Sequence, residues 1–295
     1  MHFATCLRHE LTRRAREYAD SQKIPYVLSY GENPLVCFPE YGPDSRHGNF
    51  MRESYRAILA NSAWQRRLTK VHTQARRCLP PSEAGRWREL DSCMSSDALL
   101  MNIFCHPGVL RMGAAFALPG AESRLSPCFG YKARVPLVNG KVDRTEVDVR
   151  LGNTLIEAKL TENDFQRAEK KVLLTYRDFL DVFDHERLPQ TDRHYLAYQL
   201  LRNVLAANAL NCSFCVLLDE RRRDLIETWY ALMSCVKSVH LRTSLGVVTW
   251  QELARGLPAK VRTFLAGKYG IGIPFQPTSR TSDEGEEAKT PAATS

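Results

Sequence analysis

The sequence predicts a mixed α/β (α+β) fold, one sheet flanked by helices in the order α-β-β-β-α-β, and three observations predict it. Apolar and polar residues alternate on either side of Gly152-Asn153, a dipeptide suited to a two-residue hairpin. Residues Tyr195 to Ala207 carry Leu196, Leu200, Leu201, Val204 and Leu205 at helical spacing. That helix leads directly into Cys212–Leu218, an apolar run of the kind found in strands buried on both faces.

Taken along the chain, Met1 to Asp20 reads as a surface helix rich in arginine (Arg8, Arg13, Arg14, Arg16). It lacks the apolar segment of a secretion signal. A second helical pattern runs from Phe50 to about Arg77, with Met51, Tyr55, Ile58 and Leu59 on one face, until Leu79-Pro80-Pro81 breaks it. Ser95 or Ser96 caps the next helix, which continues to Phe104 ahead of Pro107-Gly108. Tyr131–Val138, Thr145–Leu151 and Thr154–Leu160 then read as three successive strands, and the charged residues 161–192, with interleaved aromatics, as a stretch containing one helix. Beyond Leu218 the pattern gives a helix over Asp224–Val236, a strand over Leu245–Thr249 and a helix through Arg262–Lys268. The expected layout is a basic helical region (1–90), a core (91–220), a helical extension of the same domain (221–275) and a disordered tail (276–295) low in apolar residues.

Composition narrows the function classes. With 44% hydrophobic and 25% charged residues the chain is an ordinary globular one, and no apolar run approaches the ~18 residues of a membrane span. Nine cysteines, an odd number without regular spacing, point to reduced thiols and a cytoplasmic location. Cys212 and Cys215 lie three apart on a strand and face opposite ways, so they share neither a zinc nor a disulfide. The net charge is +8, and residues 1–90 hold 15 Lys/Arg against 9 Asp/Glu. Such a balance suits a polyanion, because phosphate contacts release counterions, although a solvated basic face has the same composition.

The chemistry concentrates in Thr145–Leu160. If Gly152-Asn153 is the loop, Leu151 faces Thr154, Asp148 falls opposite Glu157, and Glu146 opposite Lys159. Alternation puts these four on one face and Val147, Val149, Ile156 and Ala158 on the other. Two carboxylates at that separation repel, and a divalent cation between them removes the repulsion. Mg²⁺ suits the arrangement because it takes one or two carboxylates and fills its other positions with water and phosphate. The alternative is a solvent-facing sheet with a Glu146–Lys159 ion pair, which leaves Asp148 against Glu157 uncompensated.

Asp148, eight intervening residues, then Glu157-Ala158-Lys159 resembles the D-x(n)-(E/D)-x-K signature of PD-(D/E)xK phosphodiesterases, the restriction-endonuclease-like superfamily. Ser95–Asn102 and Tyr198–Asn203 are similar to the flanking helical motifs of a bacterial branch of it. The departures are Val147 where the first acid is often preceded by Pro, and Asp97 and Asn102 where many relatives have a supplementary Glu. The resemblance implies Asp148, Glu157 and the Ala158 carbonyl as metal ligands, Mg²⁺ as cofactor with Mn²⁺ able to substitute, and Lys159 as the cation at the transition state. It implies Gln199 at the scissile phosphate or supporting Lys159, with Arg202 beside it. Tyr195, Gln199 and Arg202 share a helix face at i, i+4, i+7.

The expectation is therefore a Mg²⁺-dependent nuclease, an endonuclease on DNA, with Arg52, Arg56, Arg66, Arg67, Lys70 and Arg202 holding nucleic acid and no membrane partner. The alternative is a catalytically inactive nucleic-acid-binding or protein-interaction module of the same fold. Other motifs do not compete. His9-Glu10 lacks the second histidine of a zinc-protease helix, Gly267, Gly270 and Gly272 follow no strand, and His106 reads as a helix-end residue.

Overall fold

The structure, a computed structural model, describes residues 3–29, 34–42, 46–70, 87–112 and 127–272. The predicted helix beyond Lys70, the Leu79-Pro80-Pro81 break and the tail from 276 lie outside the described residues.

A five-stranded mixed sheet forms the centre. Its strands are β1 (Pro127–Lys132), β2 (Glu146–Leu151), β3 (Thr154–Ala158), β4 (Ser213–Leu218) and β5 (Leu245–Thr249), in the spatial order β5-β4-β3-β2-β1. The first three run antiparallel, whereas β4 is parallel to both β3 and β5. Parallel neighbours need a crossover, and helices supply both. α4 (Tyr198–Leu210) lies between β3 and β4, and α5 (Arg223–Met233) between β4 and β5.

Both faces of the sheet are covered, so every residue of β3 is buried. On one side Leu155, Phe214, Val216 and Leu218 pack against Leu200, Leu201 and Val204 of α4 and Trp229 of α5. On the other, Ile156, Ala158, Cys215 and Leu217 meet Leu99, Leu100 and Ile103 of α3 (Ser96–Phe104), Leu7 and Leu11 of α1 (Phe3–Gln22) and Val261 and Leu265 of α7 (Ala259–Tyr269). Fully burying one such side chain contributes about 1.5–3 kcal/mol. As expected, Cys212 and Cys215 sit in opposite layers.

The turn behaves as the sequence requires. Leu151 pairs with Thr154, Arg150 with Leu155 and Val149 with Ile156. Positive φ falls on Gly152 (55°) and not on Asn153, the pattern of a type II′ turn with glycine first. Three expectations need correction. The helix from Phe50 stops: α2 spans Arg52–Leu59, and Asn61 then caps a new short helix (Ser62–Gln65) by accepting from the Ala63 and Trp64 amides. α4 begins at Tyr198, because Ala197 adopts φ 58° and Tyr195 belongs to a short strand (His194–Leu196). Residues 161–192 form two four-residue helices, Lys170–Leu173 and Phe179–Val182, rather than one.

Candidate active site

β2 and β3 separate where the sequence places its acids. Their ladder ends at Val149↔Ile156, and one step further the Asp148 carboxylate (Oδ2) accepts the Ala158 N–H at 2.8 Å. A side chain thus substitutes for a rung of the sheet. On the other edge of β2, pairing with β1 skips Gly130, which has φ 64°, between the rungs Phe129↔Val149 and Tyr131↔Val147. The strand rotates through this irregularity, so Val147 packs in the α4 layer and Val149 in the opposite one. The expectation that both valines share a face is corrected accordingly.

Asp148, Glu157 and Lys159 nevertheless line one cleft, and Ala158 lines it with them. Glu146, expected on the same face, does not join them: it is exposed and pairs with Arg67 Nη1 at 2.9 Å, and the Glu146–Lys159 ion pair of the alternative reading does not form. Lys159 instead donates to Glu157 Oε1 at 2.8 Å. Its own carbonyl accepts from Trp250 Nε1 at 3.0 Å, which fixes the backbone behind the ammonium.

Glu157 is only 2% exposed and both its oxygens are held. Asn203 Nδ2 donates to Oε2 at 2.8 Å, and Asn203 Oδ1 accepts from Arg202 Nη2 at 2.8 Å. Arg202 Nη2 also donates to the Glu146 carbonyl at 2.7 Å. The sequence reading passed over Asn203, although it lies four residues after Gln199 and hence on the same helix face. Arg202, expected to contact nucleic acid, is 2% exposed and engaged with these groups; it orients Asn203 instead. Gln199 does line the cleft, and its Oε1 is buried without a partner among the described residues.

The electrostatics follow from this crowding. Burial, then the neighbouring Glu157 and Asp97, push the Asp148 carboxyl well above its ordinary range, and Lys159 pulls the other way. For Lys159 burial opposes the charge, but Glu157, Glu162 and Asp148 outweigh it and hold the ammonium above its usual value. Asp97 is 4% exposed and takes Arg67 Nη2 at 2.6 Å and Lys70 Nζ at 3.1 Å on one oxygen. Arg67 reaches it over Gly130, where an added Cβ would stand 2.5 Å from the guanidinium. Arg67 and Lys70 are therefore occupied beside the acids, whereas Arg52, Arg56 and Arg66 are exposed and line no part of the cleft. Asn102 lies elsewhere: it accepts from the Met51 amide and donates to the Asn49 and Ala98 carbonyls.

The donor set fits a hard divalent cation with few protein ligands. Asp148 and Glu157 supply carboxylate oxygens; burial and then the neighbouring Glu157 raise the Asp148 carboxyl, and a cation relieves that repulsion. Among the described residues no group of three or more His, Cys, Asp or Glu is placed to hold a metal, so water and phosphate would complete the shell.

The cleft has a volume of about 1280 Å³. Small-molecule pockets span roughly 300–1,000 Å³, so this one exceeds that range. Its second wall is α1, which contributes Arg8, Arg13 and Arg16. Among the described residues no helix is long and apolar enough to cross a membrane. A family model described as Restriction Endonuclease associating with ARP matches residues 13–270. No curated protein and no solved structure matches the chain.

Proposed function

The chain belongs to the family of restriction endonucleases associating with ARP, and from that premise we propose that it is a Mg²⁺-dependent nuclease that hydrolyses phosphodiester bonds in DNA. The observation that carries this reading is the convergence of Asp148, Glu157 and Lys159 on one cleft, on side chains fixed from behind. Asp148 and Glu157 would hold the metal, with the Ala158 carbonyl alongside. When bound, Mg²⁺ supplies Lewis-acid polarisation of the phosphoryl oxygen and lowers the pKa of water beside it.

The chain's own groups do the rest. Lys159, kept charged by three carboxylates, places a fixed positive charge where the phosphoryl oxygens gain negative charge. Asn203 and Arg202 keep Glu157 in one orientation, so little reorganisation accompanies the reaction. The unpartnered Gln199 Oε1 accepts a hydrogen bond from the attacking water or from substrate and thereby orients it.

Divalent-metal titration together with a cleavage screen over single- and double-stranded DNA and RNA tests the proposal. The parent should bind Mg²⁺ saturably and cleave with Mg²⁺ or Mn²⁺, and Asp148→Ala should lose both properties. A parent that cleaves no nucleic acid with either metal would make the protein a binding module of the same fold.

A further inference from the structure

α1 is two-sided in a way that its sequence only half discloses. Ala4, Leu7, Leu11, Ala15 and Ala19 are buried, and Tyr18 meets Phe264 of α7 edge-on at 5.7 Å. The stripe through Arg8, Thr12, Arg13 and Arg16 lines the cleft opposite the acids. Its arginines differ in what they already hold. Arg14, off the stripe, is consumed internally with Glu10, which also takes Arg221. Arg8 donates to the Thr161 carbonyl at 2.8 Å and to Asn163 Oδ1 at 2.6 Å, tying the helix to the loop that follows Lys159. Arg13 is exposed and among the described residues pairs only with the exposed Glu17, and such a pair is worth little in water. Arg16 is exposed and makes no ion pair among the described residues.

We propose that the cleft-facing stripe of α1 is a phosphate rail, on which Arg13 and Arg16 hold the backbone of a polynucleotide strand whose scissile phosphate lies at Asp148 and Glu157. This rests on the nuclease reading and adds to it the surface that grips the substrate and the direction in which the strand runs. Arg8 marks the catalytic end. At 1.5 Å per residue, Arg13 and Arg16 stand about 7.5 and 12 Å further along the helix axis. Both arginines therefore meet phosphates of the same strand further along the cleft from the cut. Among the described residues the cleft lining includes His9 but no Phe, Tyr or Trp. Contacts from Arg13 and Arg16 to phosphate fix the position of the backbone and carry no sequence information directly. The basic side chains of Arg56 and Arg66, equally exposed, lie outside the cleft and are not part of it.

The test compares two double variants of the full chain, Arg13→Gln with Arg16→Gln and Arg56→Gln with Arg66→Gln, which lose the same charge on different faces. All four positions are exposed, so folding is not at stake. Binding of a labelled single strand and of the matching duplex is measured over a range of salt. The α1 pair should weaken binding and flatten the slope of log affinity against log salt by about 1.4 on a single strand or 1.8 on a duplex. The form of nucleic acid that shows the change is the one the rail holds. The control pair should change the slope by much less. Equal behaviour of the two pairs in a protein that cleaves overturns the rail and leaves the nuclease reading standing. Binding through Arg13 and Arg16 by a parent that cleaves nothing supports the rail and overturns the nuclease reading.

Discussion

Among the described residues two lysines are removed from water, and they respond in opposite ways. Lys159 is 5% exposed and Lys268 1%. Lys159 touches Glu157 and lies near Asp148 and Glu162, and their charges hold its proton more tightly than water would. Lys268 has no carboxylate partner among the described residues. Its ammonium donates to Asn49 Oδ1 at 2.6 Å and to the Gly48 carbonyl at 3.3 Å, and the Phe38 ring lies 4.4 Å away. Burial pushes its pKa down to about 7. Depth alone therefore marks neither residue as functional. What separates them is the company of acids at the edge of a cleft, which costs stability unless it serves a bound cation and substrate.

The largest effect that would sharpen this contrast is on turnover. Lys159→Ala should lower single-turnover cleavage by about 10²–10³-fold, the usual loss when a preorganised charge at a developing oxyanion is removed. Mg²⁺ affinity should be retained or tightened, since Glu157 loses a competing partner. Parent-level turnover in this variant would reduce Lys159 to a structural lysine like Lys268. A smaller loss is expected at Asn203, which acts through Glu157. Asn203→Leu keeps the side-chain size but removes the donor, and metal affinity or activity should fall about 10–100-fold, as for other residues behind metal ligands. Metal affinity measured beside the melting temperature distinguishes this from simple unfolding. A lower melting temperature with intact metal affinity would show that Asn203 merely packs.

How much of this was legible depends on the range of the interactions. The hairpin register could be read because Gly152 and the alternation on both sides of it are local. The Ser95 cap and the strand Leu245–Thr249 were legible for the same reason. The end of α2 was written in Asn61-Ser62, a capping signal outweighed by the periodicity around it. In residues 161–192 the aromatics Phe165, Tyr176, Phe179 and Phe183 all enter the core beneath α4, and of these only Phe179 does so from within a helix, so tertiary packing overrides the local pattern there. The rotation of β2 coincides with the missing rung at Gly130 of β1, where the Arg67 guanidinium stands 2.5 Å from the position of an added Cβ, a contact between distant segments. The arginine stripe of α1 is periodic in sequence. That it faces the acids depends on Arg8 meeting Thr161, 153 residues away, and no local pattern contains that.

The smallest predicted effect concerns Lys268 and can break the comparison outright. Its folded pKa of about 7 lies below the ~10.4 of an unfolded chain, so between these values the unfolded state binds more protons and stability rises with pH. A single site gives at most about 1.4 kcal/mol per pH unit, approached roughly one unit above the folded pKa. Lys159 adds no slope there, because its raised pKa leaves it protonated in both states until pH passes the unfolded value. Urea unfolding of the parent and of Lys268→Met between pH 7 and 8.5 isolates this contribution, since all other groups cancel in the difference. The parent should gain stability relative to the variant as pH rises. Opposing this are the rings of Phe38, Phe264, Tyr269 and Tyr18, all within 6 Å of the ammonium, because the face of an aromatic ring favours a cation. If those rings prevail, the two curves run parallel. Lys268 would then remain charged like Lys159, with aromatic faces in place of carboxylates.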